Sequence, residues 1–392
     1  MRSRTSFTLS DREVQAFAES QLDAAFRFKA AARKCTATVL YKIVLLAAAR
    51  MASIFAVCRD LKGAPSDVAV LNGLRSNLPK RTQTVEARLH DGFSGQLPQR
   101  LFQRARRIAI DFHLIPYHGE PMKNANELFR SKRKSGTSNF HAYATACVVE
   151  GGYRYTLALT YVRNQESTVA VLNRLLDRVQ ACGLKIKSLL LDRDFFTSHV
   201  FRYLQQRQIP FLVPVVIKGR PPKNKHRRAQ GLAAFRRKPA GRYRFTWKVK
   251  KISVDFDVVV TYKSYKHRKT KRRRNKVLLY AAWRVAGAPV DIREQYRKRF
   301  GIEASFRQLG QARISTCTPD PILRLFFVGV GLLLRNAWVW LHFKYFADRS
   351  GIEPTLHLER LRFRRMLNWI DKVIVSILHD GSDYITEIFV PS

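Results

Sequence analysis

Three acidic residues stand at positions where carboxylates could act together. Asp111 lies in the apolar run IAIDFHLI, Asp192 ends the run LLLD, and Glu303 lies on a predicted helix that follows a basic stretch. If the fold brings them together, they form the oxygen-rich site that hard divalent ions prefer. A pair of such ions can activate a nucleophile and stabilise a leaving oxygen in phosphoryl transfer. Each acid alone could instead cap a strand or pair with an arginine, so this chemistry depends on the fold.

A stripe of polar residues surrounds Glu303. Tyr296, Arg299, Glu303 and Arg307 follow one another at spacings of three, four and four residues. On a single helix these spacings place all four side chains on one face. A face with a tyrosine and two arginines beside a carboxylate suits contact with phosphate groups. The alternative is an exposed ladder of ion pairs between the carboxylate and the two arginines.

The pattern around the two aspartates predicts an α/β fold. Helices are expected at 166–182 and 199–208, and strands at 107–117, 140–149, 153–162, 187–192 and 211–217. The resulting order, β-β-β-α-β-α-β, is that of a ribonuclease H-like (RNase H-like) core. The first and fourth strands of such a sheet are neighbours, so Asp111 and Asp192 are expected side by side. Glu303 would approach them from one helix over about 291–311, opened by a capping box at 291–294.

A basic, β-rich insertion interrupts this core before Glu303. Strands are expected at 243–249, 254–262 and 277–283, and basic runs flank them at 218–228, 236–238 and 266–276. The densest run, KHRKTKRRRNK, contains Arg272, Arg273 and Arg274. It predicts a segment that binds phosphates, or a solvated loop, and the two are compatible because such loops can become ordered on DNA.

These patterns divide the chain into four parts. Residues 1–104 are predicted to be helical and to form a DNA-end-binding domain. The catalytic domain, formed by 105–217 and 276–345, is expected to be an RNase H-like mixed sheet with flanking helices. Residues 218–275 are the β-rich basic insertion, and 346–392 are a C-terminal helical region.

The balance of charge indicates the kind of partner. Lys and Arg total 72 and Asp and Glu total 29, so the formal net charge is +43. This excess implies a polyanion, either nucleic acid or an anionic membrane surface. The 46% hydrophobic content excludes a disordered basic tail. The apolar stretches 39–58 and 322–341 contain charged residues, so we expect core helices there and no membrane span.

The cysteines and the N-terminal residues indicate the compartment. The five cysteines are scattered and form no CxxC pair, so neither a disulfide framework nor structural zinc is expected. His113, His118 and His141 lack a fourth ligand at suitable spacing, which favours loop or phosphate contacts over a metal site. The start, MRSRTSFTLS, has no apolar segment of a signal peptide. We expect a cytoplasmic protein associated with the nucleoid.

The segments around the three acids resemble the DDE transposases of bacterial and archaeal insertion sequences. The resemblance covers about residues 105–345 and rests on IAIDFHLIPYHG, LLLDRDFF and YRKRFGIEASF. Its most specific part is the pattern Tyr-x2-Arg-x3-Glu formed by Tyr296, Arg299 and Glu303. The IS-four-like group, whose RNase H-like core carries a β-rich insertion before the catalytic Glu, is the most similar branch.

The resemblance implies the metal chemistry of the three acids. Asp111, Asp192 and Glu303 would be the catalytic residues and would bind two Mg²⁺ ions, for which Mn²⁺ can substitute.

It also implies which residues bind DNA. Tyr296 and Arg299 would hold DNA near the scissile phosphate. The family has a lysine at the position of Gly310 in this chain, and Arg307 could supply the missing charge. In the IS-four-like group an aromatic residue of this region can stack on a flipped base, which singles out Trp283 as well as Trp247. Packing in the core is the alternative for both tryptophans.

The function that follows is cut-and-paste transposition. Such a protein binds double-stranded DNA at the terminal inverted repeats of its element and acts on it as a homodimer. It cuts with water and joins with a DNA 3′-hydroxyl as nucleophile. The alternatives are a non-catalytic, domesticated or decayed transposase that only binds nucleic acid, and an RNase H-like nuclease without strand transfer.

Overall fold

The computed structural model describes residues 9–95, 97–150, 154–217, 230–266, 268, 270–348 and 355–378. Within these residues the chain forms one mixed sheet with helices on both faces. The strands are β1 (Arg106–Pro116), β2 (Phe129–Lys134), β3 (Thr137–Val148), β4 (Thr156–Val162), β5 (Ile186–Leu191), β6 (Phe211–Pro214), β7 (Gly241–Val249), β8 (Ile252–Lys266) and β9 (Arg273–Trp283). The helices are α1 (Asp11–Phe26), α2 (Ala37–Arg50), α3 (Ile54–Asp60), α4 (Asp67–Asn77), α5 (Thr82–Gly95), α6 (Thr168–Ala181), α7 (Ser198–Gln206), α8 (Pro289–Arg297), α9 (Phe300–Leu309), α10 (Pro321–Leu341) and α11 (Phe363–Leu378).

The sheet has the strand arrangement of an RNase H-like core with an extension. β3 pairs antiparallel with β1, and β4 pairs antiparallel with β3. On the other side, β1 pairs in parallel with β5, and β5 pairs in parallel with β6. β9, β8 and β7 continue the sheet from β6, each antiparallel to its neighbour. The predicted α/β, RNase H-like fold is therefore confirmed, and the β-rich segment is part of the same sheet.

The central strands are apolar on both sides because helices cover both faces of the sheet. Ile110 and Leu191 face the larger hydrophobic cluster, to which α1, α2, α5, α6, α7, α10 and α11 all contribute. Ala109 and Leu190 face the opposite cluster, which includes Ile292, from α8, and residues of α9. The ends of β1 and β5 are thus held between two packed layers.

The outer edge of β4 is closed by side chains of α5 and α10. Nε2 of His90 lies 3.0 Å from the Leu159 nitrogen and 2.9 Å from the Leu159 oxygen. Asn336 accepts the Thr156 N–H at 2.9 Å and donates to the Thr156 oxygen at 2.8 Å. Glu86 accepts a third N–H of β4 at 2.7 Å. These bonds satisfy backbone groups that an open strand edge would expose.

The predicted helix over 291–311 is wrong in two respects. It begins earlier, because Pro289 occupies the first turn, and Asp291 accepts the N–H of Ala288 at 3.0 Å as the third helical residue. It is also broken. The N–H groups of Arg299 and Ile302 bond to carbonyls three residues back, which tightens the chain between α8 and α9. Tyr296 and Glu303 therefore lie on two helices, and the junction carries Gly301 but no proline.

A short hairpin strand was absent from the sequence prediction. β2 pairs with β3, but its sequence, FRSKRK, is mostly charged and lacks the apolar alternation that predicts a strand. The expected strands of the insertion are confirmed, and β8 and β9 extend further because 263–266 pairs with 273–276. The expected turn at 150–152 and the basic run at 218–228 lie wholly or largely outside the described residues.

The long apolar helix belongs to the protein core. α10, together with its continuation to Phe346, is long and apolar enough to cross a membrane, but 94% of its apolar window is buried inside the protein. α2 and α3 also pass that test as a pair, but they are bent by 103° at Met51–Ser53. In α2 most side chains are buried in the same hydrophobic cluster.

Candidate active site

Asp111 and Asp192 lie side by side because β1 and β5 are parallel neighbours. The register pairs Ile110 with Leu191, and each aspartate is the next residue along its strand. Oδ1 of Asp111 accepts the N–H of Phe112 at 2.9 Å. Asp192 ends β5 and precedes a short 3-10 turn. The adjacency expected from the RNase H-like order is thus present in the structure.

Arg299 connects Glu303 with the two aspartates, because its guanidinium contacts all three carboxylates. Nη2 of Arg299 lies 2.6 Å from Oε1 of Glu303 and 3.7 Å from Oδ1 of Asp192. Its Nη1 lies 3.0 Å from Oδ2 of Asp111. One guanidinium therefore contacts all three carboxylates, and its side chain is only 7% exposed. The chain brings together residues that are far apart in sequence, as the predicted site requires.

Burial and charge act against each other on these groups. Burial raises the pKa of Asp111 to about 6, with the Arg299 charge opposing the rise and the neighbouring Asp192 adding to it. Burial acts to lower the pKa of Arg299, but Tyr296 and the surrounding carboxylates outweigh it and raise that pKa. Arg299 is therefore a permanent cation at the centre of the site.

Tyr296 positions the end of β5. Its hydroxyl donates to the Leu191 oxygen at 3.2 Å, and its ring lies 5.0 Å from that of Tyr280. Tyr296 is buried, and burial raises the pKa of its phenol. It thus supports the residue that precedes Asp192, and its predicted contact with DNA stays a prediction.

The donor chemistry of the three acids fits a hard divalent ion. Three carboxylates from two strand ends and one helix are the ligands that Mg²⁺ takes. Within the described residues, no group of three His, Cys, Asp or Glu side chains lies close enough to share an ion. Arg299 explains this spacing, because its guanidinium lies among the carboxylates. The oxygen donors of the three acids therefore suit such an ion in type.

Arg307 lies on α9 beside the carboxylates but faces another set of cations. It lines a hollow of about 430 Å³ together with Arg154, Arg297 and Lys298. Burial, with the charge of Arg307, lowers the pKa of Arg154. Arg154 lies just after residues 151–153, which are outside the described part of the chain, and nothing in the sequence singled it out. Arg307 itself is exposed.

The remaining predicted DNA-binding residues lie on β9 or directly before it. Arg272, Arg273 and Arg274 are exposed at the start of β9, at the opposite end of an eleven-residue strand from Trp283. Trp283 is half-buried, stacks at 17° to the Phe211 ring and carries the Arg284 guanidinium 4.5 Å from its ring centre.

The histidines and the second tryptophan pack against aromatic rings. The ring of Trp247 lies 4.9 Å from that of Phe196. His113 stacks on Phe306 at 4.7 Å, and burial lowers its pKa to about 4. His141 is fully buried against Tyr117, whereas His118 is exposed.

The geometry agrees with the family to which the sequence belongs. Residues 103–319, more than half of the chain, match the family described as Transposase DDE domain. The chain therefore belongs to the DDE transposases, and the resemblance seen in the sequence is confirmed. Its assignment to the IS-four-like group stays a prediction.

One solved structure to which the chain is similar is a piggyBac transposase synaptic complex with hairpin DNA. The identity is 10% and the TM-score 0.45, and the match covers 96% of this chain and 75% of that chain. No curated protein matches the sequence.

Proposed function

We propose that this protein is a DNA transposase that binds the terminal inverted repeats of its own element, cuts the DNA and transfers the freed strand. The observation that carries the proposal is the meeting of Asp111, Asp192 and Glu303 at one guanidinium, in a chain of the DDE transposase family. Water acts first as nucleophile and frees a 3′-hydroxyl, which then attacks a phosphodiester of the target. No covalent bond between protein and DNA is needed.

The three carboxylates would hold the metal ions of this reaction. Mg²⁺, with Mn²⁺ able to replace it, would be bound by Asp111, Asp192 and Glu303 as a pair of ions. When bound, the ions supply activation of the nucleophile and stabilisation of the leaving oxygen. The contribution of the chain is to fix the backbone that carries the carboxylates, because two strand ends and one helix are held against packed layers. The Arg299 side chain moves away from the carboxylates when the ions bind.

The basic residues around the acids would bind DNA. The Arg299 guanidinium can exchange its contacts with the carboxylates for contacts with a phosphate, because a guanidinium binds both groups in the same bidentate way. Arg307 stands in for the family lysine with its exposed charge. Tyr296 supports the site through the end of β5.

DNA outside the active site would contact the insertion. Arg272, Arg273 and Arg274 would bind backbone phosphates, and Trp283 would contact a base if Arg284 moved off its ring. Two transposon ends must be cut and joined together, so we propose a homodimer on DNA. We place it in the cytoplasm, on the nucleoid.

Substitution of the acids tests the proposal. In Asp111→Asn, Asp192→Asn or Glu303→Gln, cleavage of DNA carrying the element's inverted repeats should fall by more than about 100-fold, as when one preorganised electrostatic group is lost. Binding of uncut ends should change little, because no phosphate contact is removed. Asp194→Asn is the matched control, since Asp194 is exposed two residues from Asp192. Cleavage by Asp111→Asn in Mg²⁺ at near the unmodified rate would refute the proposal.

A further inference from the structure

A second polar hollow opens beyond the end of β1, apart from the three carboxylates. It has a volume of about 410 Å³ and lies between the residues that end and follow β1 and the segment that joins α9 to α10. The side chains that matter here are Tyr143, Arg324, Arg313 and His118. None of the three acids lines it.

Arg324 places a buried cation in the wall of this hollow. The residue is 6% exposed. Its Nε donates to the Thr318 oxygen, its Nη2 donates to the Thr316 oxygen at 3.1 Å, and the guanidinium lies 4.5 Å from the centre of the Tyr117 ring. Within the described part of the chain no carboxylate forms an ion pair with it. A buried charge without a counter-charge is costly, which points to an anion that is supplied from outside the chain.

Tyr143 adds an unused hydrogen-bond donor to the same wall. The residue is fully buried and its hydroxyl has no hydrogen-bond partner among the described residues. Burial raises the pKa of this phenol, and the nearby Arg324 charge opposes the rise. Buried hydroxyl groups are nearly always bonded in native proteins. A ligand oxygen seated in the hollow would satisfy this one after a shift of the wall, because the hydroxyl itself has no exposed surface in the structure.

The rim of the hollow carries further positive charge. Arg313 and His118 are exposed there, and no Asp or Glu lines the hollow. Two guanidinium groups, an imidazole and a phenol together suit a group with several acceptor oxygens and negative charge. A phosphate group has this chemistry, and arginine binds it bidentately.

We propose that this hollow is a phosphate-binding site and that a backbone phosphate of DNA occupies it. Ile115 lines the hollow and lies four residues beyond Asp111 on β1, a distance of roughly 13 Å at about 3.3 Å per residue. For duplex DNA whose axis runs parallel to β1, that distance corresponds to an axial rise of roughly four base pairs at about 3.4 Å each. A strand held at Asp111 can therefore reach the hollow. The choice of DNA as the source of the phosphate rests on the proposed function, whereas the phosphate chemistry does not.

Titration with inorganic phosphate tests the site itself. In calorimetry at fixed ionic strength, with chloride as the reference anion, phosphate should bind the full-length protein. Tyr143→Phe keeps the ring and removes only the unbonded hydroxyl, so the variant should fold and bind phosphate about tenfold more weakly. Arg313→Gln should weaken binding as well. Tyr155→Phe is the control, because Tyr155 is also fully buried but does not line the hollow. Equal phosphate affinity in Tyr143→Phe and the unmodified protein would overturn the proposal.

A second arm decides the source of the phosphate. In fluorescence anisotropy with a labelled duplex, Tyr143→Phe and Arg313→Gln should weaken DNA binding, and inorganic phosphate should compete with the duplex. If both variants bind inorganic phosphate more weakly but keep full affinity for the duplex, the hollow does not bind DNA. A free phosphate compound is then its occupant. Failure of the proposed function would look different: the unmodified protein would not cut DNA, yet its phosphate titration would still depend on Tyr143.

Discussion

Arg299 is the side chain on which the arrangement of the three carboxylates depends. Without it, Asp111, Asp192 and Glu303 would face one another with no counter-charge, and like charges at close range disfavour the ionised forms. We expect Arg299→Ala to lower the free energy of unfolding at pH 7 by about 1–3 kcal/mol in the absence of divalent ions. Mg²⁺ should restore part of the loss. Thermal melts in EDTA and in Mg²⁺ measure both effects.

The control for this variant is Arg297→Ala. Arg297 is 64% exposed and pairs with Glu294, which is also exposed, and such surface pairs contribute little to stability. A melting temperature for Arg299→Ala in EDTA equal to that of Arg297→Ala would show that the guanidinium does not hold the carboxylates together.

His141 makes the stability of the protein depend on pH. It is fully buried, neither ring nitrogen has a hydrogen-bond partner among the described residues, and burial, with the Arg324 charge, lowers its pKa to about 3. The unfolded chain takes up a proton near pH 6.5, where the folded chain does not. Stability from this residue is therefore lost as the pH falls from about 6.5 towards 3. Between pH 7 and pH 4.5, the urea concentration at the unfolding midpoint should fall less in His141→Phe than in the unmodified protein.

His199→Gln is the control for that measurement. His199 is exposed on α7, so removal of its imidazole should leave the pH dependence unchanged. An identical loss of stability on acidification in His141→Phe and the unmodified protein would mean that His141 is already protonated in the fold.

At the level of elements, the sequence predicts what depends on local pattern. Continuous apolar runs identify β1 and β5, and the order of strands and helices is enough to make Asp111 and Asp192 neighbours. The junction between α8 and α9 could not be predicted, because the glycine nearest to it, Gly301, is the second residue of α9 and a single glycine does not by itself end a helical pattern. Tyr143 and Arg324 could not be singled out from the sequence, because the burial of a hydroxyl without a hydrogen-bond partner and of a guanidinium without a carboxylate is a property of the fold.

The position of α9 depends on a glycine in α10. A Cβ added at Gly331 would lie 2.6 Å from Cδ1 of Leu309 and 2.9 Å from the backbone oxygen of Ala312. The backbone must shift to admit it, at a cost of about 1–3 kcal/mol. We expect Gly331→Ala to lower the free energy of unfolding by that amount in urea titrations, and to reduce DNA cleavage because α9 carries Glu303.

A glycine in open space provides the comparison. Gly95 ends α5, and a Cβ there meets nothing within 4 Å. Gly95→Ala should leave both stability and cleavage nearly unchanged. If Gly331→Ala changes the free energy of unfolding and the cleavage rate as little as Gly95→Ala does, the close approach of α10 to the end of α9 is not needed to hold the helix that carries Glu303.

At the scale of the whole molecule, the N-terminal helices are tied to the catalytic sheet. α5 bonds the edge of β4 through His90 and Glu86, and α1 and α2 pack on α10 and α11 within one hydrophobic cluster. The spacing of apolar residues indicates helices before residue 105 but gives no sign of these contacts. A DNA-binding surface on these helices would therefore be held in a fixed relation to Asp111.

The net charge of +43 makes binding to DNA strongly dependent on salt, and the hairpin of β8 and β9 should contribute a defined share. Arg272, Arg273 and Arg274 are exposed and form no ion pair within the described part of the chain. Each phosphate that is no longer neutralised by an arginine should reduce the slope of log K against log salt by roughly 0.9. Replacing all three by Gln should therefore weaken binding to any DNA sequence and lower the slope by up to about 2.7, as measured by anisotropy across a salt series.

A variant of equal charge separates direct phosphate binding from overall charge. Arg365 and Lys372 are exposed on α11 and Arg362 is exposed directly before it, and replacing all three by Gln removes the same three charges from the C-terminal part of the protein. A reduced net charge alone would lower the slope equally in both triple variants, because it acts at long range. A larger decrease of the slope in the hairpin variant would show that β9 lies against the phosphates, and an unchanged slope would show that this segment stays in solvent when DNA is bound.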